Sequence, residues 1–243
     1  MPRRIALSPV LLLLLFMPLP PADAATKIIK VVSSGGIEAW LVQEPSIPIL
    51  SLDVAWRDAG SKLDPAGKTG LANFAADLLD EGAGDLDASA FHARVDDLGL
   101  GYDFNAGRDA FHASLRTLSE NRDAAWQLFS VAITRPRFDA EPMERVRRQT
   151  LSQISRQEEQ PETVATEALF AAAFPQHPYG QPPNGRAADL PRITRVDLLG
   201  FIRAHLARDN MVIGVVGDIT PAELAPLLDR TFGALPAKAA AAS

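Results

Sequence analysis

Residues 70–83 read GLANFAADLLDEGA, with apolar residues at helical spacing. Leu71, Phe74, Ala75, Leu78 and Leu79 fall on one face of such a helix, and Asn73, Ala76, Asp77 and Asp80 on the other. Positions 73 and 77 lie one turn apart, where two side chains can clamp one ion. The spacing suits a metal-binding helix, but the residue types do not. Asn73 offers a neutral amide, a poor zinc donor beside imidazole or carboxylate. Asp77 is a single anionic ligand where zinc takes at least three from the protein. Ala76 has no atom that accepts a proton.

Few other donors exist. The chain has no Cys, hence no thiolate ligand and no disulfide. Its four histidines are His92, His112, His177 and His205. His177 sits in HPYG, a frame that fixes a turn. His112 alternates with Phe111 on a strand, either solvated or lining a peptide groove. His92 and His205 are expected at helix surfaces. Asn73, Asp77 and Asp80 read as a hydrated helix face, with a remodelled polar pocket as the alternative. Glu141, Glu144, Arg145, Arg147 and Arg148 form i,i+3 and i,i+4 pairs of a solvated face.

The elements that must position these residues follow from pattern. KIIKVVSS and IEAWLVQEP predict two strands around Gly35-Gly36. In ILSLDVAWR, Leu50, Leu52, Val54 and Trp56 alternate with Ser51, Asp53, Ala55 and Arg57, as in a half-buried strand. A helix over 88–98 ends at Gly99, and GYDFNAG with DAFHASLRTL makes a strand pair. Ser119 is expected to cap the next helix and Asp139 a long helix over about 140–159, which stops before Pro161. A further helix carries Val164, Ala168, Leu169 and Ala172. Capping boxes start at Thr194 with Asp197 and at Thr220 with Glu223, and NMVIGVVGD between them reads as a buried strand. Mixed order without regular βαβ alternation predicts an α+β fold, a mostly antiparallel sheet with helices packed on one side.

The N-terminus reads as a targeting segment: Arg3 and Arg4, the apolar run IALSPVLLLLLFM, then PLPPADA with an Ala22-x-Ala24 cleavage pattern. The run is short for a membrane span. The expectation is a signal peptide over 1–24, a domain over 25–236 and a tail or linker start over 237–243. It implies an exported protein, placed in the periplasm, without a stable membrane span after cleavage. A formal net charge of −6 and the lack of a Lys/Arg stripe argue against nucleic acid as a partner.

The order of landmarks resembles the insulinase-like, or pitrilysin-type (M16), zinc peptidases. The resemblance covers residues 25 to 236. GSKLDPAGKTGLA resembles the run into the family's catalytic helix, and LDASAFHARVDDLG its second helix. NAGRDAF resembles the strand beside the substrate, and FDAEPMERVRRQTLSQI with FPQHPYGQPPNG the long ligand helix and the loop after it.

In that family the first helix carries His-x-x-Glu-His, and a third ligand, a Glu, follows about seventy-six residues later. The resemblance puts Asn73, Ala76, Asp77 and Gln153 at those four positions. It implies a degenerate site with no catalytic residue, no metal and no cofactor of its own, where active relatives use zinc. It also implies an MPP-like domain fold and peptide contacts at Asn105, Ala106 and His112. The implied partners are an active M16 zinc peptidase subunit, a C-terminal half domain of similar size, or both, around a peptide substrate. Two alternatives stay open: a metallopeptidase with unorthodox ligands such as Asp77 and His112, and an assembly subunit without peptide chemistry. A lone half of such a subunit is expected to expose apolar surface and to associate.

Overall fold

The computed structural model describes residues 27–240, so the expected signal peptide over 1–24 lies outside the described residues. Strands β1 (Ile28–Val32) and β2 (Glu38–Gln43) form a hairpin, turned at Gly36 with φ 78°. Strand β3 (Ile49–Arg57) follows, then helices α1 (Leu71–Ala76) and α2 (Ala88–Asp97). Strands β4 (Gly101–Ala106) and β5 (Ala110–Leu118) form the second hairpin. Helices α3 (Arg122–Thr134), α4 (Ala140–Glu158), α5 (Pro161–Ala173) and α6 (Arg195–His205) precede β6 (Met211–Gly217) and α7 (Pro221–Phe232).

The strands form one sheet in the order β1-β2-β6-β3-β5-β4. Every pair is antiparallel except β2 with β6. Register brings inward residues into rows: Leu52 opposes both Leu115 and Val215, and Trp56 opposes both Phe111 and Met211. Helix residues Phe74, Phe129, Phe201 and Phe232 join that core. A smaller cluster of Phe91, Val95, Leu98 and Leu128 sits between α2 and α3. The helices thus cover one face of a mostly antiparallel sheet, as the α+β expectation had it.

Several local expectations are corrected. Helix α1 ends at Ala76, and the chain continues in tighter turns, with Leu78 and Leu79 amides donating three residues back at 3.3 and 3.2 Å. This geometry buries Leu78 and Leu79 completely and leaves Ala76 2% exposed. Ser119 caps nothing: a 3₁₀ turn (Ser119–Asn121) leads into α3, and the Asn121 side chain donates to the Leu98 carbonyl at 3.1 Å. Asp139 stands at the cap of α4, but its carboxylate takes Arg137 Nε at 2.6 Å.

Strand β6 is half-buried, since among the described residues no helix covers the sheet face that carries Val212 and Val216. His205 is half-buried, its ring 4.9 Å from that of Phe201. Arg147 is 8% exposed, so the row of charges on α4 is not a wholly solvated face. The run assigned to a tail is partly tied down, because the Ala239 and Ala240 amides donate to Asp209 and the Ala204 carbonyl at 2.9 and 2.7 Å.

Candidate functional site

The start of α1 is fixed from upstream. Gly70 has φ 91° and cannot cap with a side chain, so the Asp64 carboxylate accepts the Gly70 and Ala72 amides at 2.7 and 3.0 Å. On the far side of α1, Arg147 of α4 places its guanidinium 5.0 Å over the Phe74 ring. Arg147 also donates to the Leu190 carbonyl and, at 3.1 Å, to the Ile193 carbonyl. These contacts set α1 and α4 side by side over the inner face of β4.

A concavity of about 510 Å³ opens where the end of α1, the inner side of β4 and the second half of α4 meet. Ala76 and Asp77 enter from α1 and its cap, and Gln149, Thr150 and Gln153 from α4. Tyr102 and Phe104 enter from β4. Three of the four positions named from sequence, 76, 77 and 153, therefore converge on one hollow. Asn73 does not line it, and its amide donates to the Pro183 carbonyl at 2.7 Å.

Asp77 has an accessible surface, yet protein walls replace much of the bulk water around it. Burial, helped by neighbouring Asp80, lifts its carboxyl to about 6. Burial and then Glu81 raise Asp80 as well, and the Tyr102 hydroxyl donates to Asp80 at 3.4 Å. Glu81 is 6% exposed and paired with Arg145. Asp77 and Asp80 therefore belong to a polar hollow rather than to an open hydrated face. Sequence reasoning missed Glu81, Tyr102 and Thr150. The inward alternation of Tyr102 with Phe104 was the one available signal for any of them.

These residues do not fit a catalytic zinc ion. At motif positions 76, 77 and 153 stand a methyl, a carboxylate and an amide, where imidazoles and a general base would be needed. Among the described residues no group of three or more His, Asp or Glu stands close enough to hold a metal. The unorthodox pairing of Asp77 with His112 is ruled out by topology: His112 lies on the helix-free face of the sheet and Asp77 on the other.

The residues expected beside a peptide divide in the same way. Asn105 on β4 opposes His112 on β5, and both line a second concavity of about 490 Å³ on the helix-free face. Ala106 points inward and is 7% exposed, because alternate strand residues face opposite sides. Strand β4 is the edge of the sheet, whereas His112 sits one strand in. The Asn105 amide is held by Asp103 at 2.7 Å.

The profile described as Insulinase (Peptidase family M16) matches residues 50–185, which hold α1, β4 and α4. The chain belongs to the M16 peptidase family. A second profile, Peptidase M16 inactive domain, matches residues 192–243. The two matched segments share one sheet, since β6 of the second lies against β3 of the first.

A probable mitochondrial-processing peptidase beta subunit of Arabidopsis thaliana is 25% identical over 73% of this M16 chain and 33% of its own length. An uncharacterized zinc protease of Rickettsia felis is 22% identical over 72% of this chain and 43% of its own. The crystal structure of a peptidase M16 inactive domain from Pseudomonas fluorescens superposes with a TM-score of 0.83 at 28% identity, covering 89% of this chain and 53% of that one. The chain thus spans a third to about half the length of these relatives.

Proposed function

We propose that this M16 chain is a non-catalytic subunit that walls a peptide-binding chamber beside an active zinc peptidase. The supporting observation is what stands at the three motif positions on the concavity: Ala76 where a general base would stand, Asp77 as their one carboxylate, and Gln153 as an amide. The surrounding frame is kept, including the Asp64 cap, the Arg147 bridge and the edge strand β4. Retained architecture with vacated chemistry suits positioning rather than bond cleavage.

An extended peptide can add to β4 as a further strand, with Asp103 and Asn105 on its helix-free side. Hydrolysis then belongs to a partner carrying His-x-x-Glu-His. A second domain of similar size would close the chamber. The leader-like residues 1–24 support export, and we place the mature protein in the periplasm.

The test uses the purified protein loaded with zinc and then dialysed. We expect no stoichiometric zinc by mass spectrometry, no peptide hydrolysis alone, and hydrolysis when an M16 subunit bearing the intact motif is added. Chelator-sensitive cleavage by the lone chain would end this reading.

A further inference from the structure

Residues 134–139, from the end of α3 to the start of α4, face α6 across a separate concavity of about 560 Å³. Arg135, Arg137, Arg195 and Arg203 line it against Asp85 and Asp139. Four arginines and two aspartates leave two positive charges in surplus, on a chain whose formal net charge is −6. Ion pairing accounts for one of the four: Arg137 Nε donates to Asp139 at 2.6 Å, and its Nη1 to the Gly84 carbonyl at 3.4 Å. Among the described residues, Arg135, Arg195 and Arg203 have no carboxylate oxygen within 4.0 Å.

Two of these guanidinium groups are held in place. Arg195 Nε donates to the Arg137 carbonyl at 2.8 Å, which leaves its terminal nitrogens free. The backbone beside Arg137 is strained: Phe138 has φ 47° while its ring is fully buried. A left-handed conformation at a bulky residue persists only where its surroundings enforce it. Here it sends Phe138 into the core and leaves Arg137 and Asp139 on the rim. Leu199 and Ile202 of α6 supply an apolar wall beside the charges.

Guanidinium forks match the oxygens of phosphate in paired hydrogen bonds. A phosphate monoester carries close to two negative charges at neutral pH, which balances the surplus. Its organic part would meet Leu199 and Ile202. We propose that this concavity is a binding site for a small phosphate monoester, distinct from the peptide surface and independent of the non-catalytic reading.

Isothermal titration of the protein with glycerol phosphate, inorganic phosphate and glycerol tests this. The expected result is saturable one-site binding of the ester, tighter than inorganic phosphate, with none for glycerol. Arg135→Gln/Arg203→Gln should weaken it by about tenfold or more, in line with lost charge-assisted contacts. Neither residue makes an ion pair, so the melting temperature should hold, and Arg203→Glu alone provides a second variant. Binding should also fade below the second phosphate pKa of about 6. No saturable heat, equal affinity for the inorganic ion, or unchanged affinity in both variants would each overturn the assignment.

Discussion

Asp77 is a carboxylate from which protein walls displace much of the surrounding water. Its carboxyl is lifted to about 6 by burial and Asp80, and burial lifts Asp64 to about 7 against the amides that stabilise its charged form. A raised carboxyl pKa means that the native state holds its proton more tightly than the unfolded chain. Stability is then full below about pH 4, falls as pH rises toward about 6 and about 7, and levels off above. The melting temperature should therefore drop between pH 4 and pH 7. Asp77→Asn should flatten part of that drop, raising stability at pH 8 while leaving it unchanged at pH 3, as read by circular dichroism. A flat wild-type profile would contradict the burial of both groups. Positions 76 and 77 are placed on one helix face by periodicity, whereas 153 comes only from the family resemblance, because nothing local links α4 to α1. The turn of Asn73 toward Pro183 was not legible in the sequence, because its partner lies 110 residues away and no local pattern encodes it.

Helix termini carry the next set of consequences. Both capping boxes read from sequence are present: Thr220 Oγ1 accepts the Glu223 amide at 3.3 Å, and Thr194 Oγ1 accepts the Asp197 amide at 3.4 Å. Thr220→Ala should cost about 1 kcal/mol in chemical denaturation. Ser119 and Asp139 failed as side-chain caps for an opposite reason. A cap competes with every other partner in reach, and a 3₁₀ turn and Arg137 prevailed. Arg147 is the stronger test of how elements are joined. Its guanidinium serves two carbonyls before α6 and covers Phe74, so Arg147→Ala should cost about 3 kcal/mol and loosen α1. By contrast, α5 has no buried residue, with Val164 49% and Leu169 66% exposed. Its amides should exchange with deuterium well before those of α3, whose Trp126 is fully buried.

At the scale of the molecule, the helix-free face is apolar at one end. Ile28, Val32, Trp40, Val212 and Val216 are exposed on β1, β2 and β6, with Trp40 51% open. Such a patch drives association. The lone protein should elute with apparent self-association in light scattering, and Trp40→Lys should shift it toward monomer. A monomeric wild type would rule that out. The sheet order could not be read from pattern, because β6 is 154 residues beyond β3 yet lies beside it, between β2 and β3. That insertion bears on how the chain is made. Until translation passes Gly217, one early hairpin and the three-stranded half-sheet β3-β5-β4 must wait with their central edges unpaired. A ribosome pausing over the region encoding α6 would hold out two sticky half-sheets, so holdase chaperones that shield nascent strands should matter more to the yield of this protein than any enzyme that speeds its later steps.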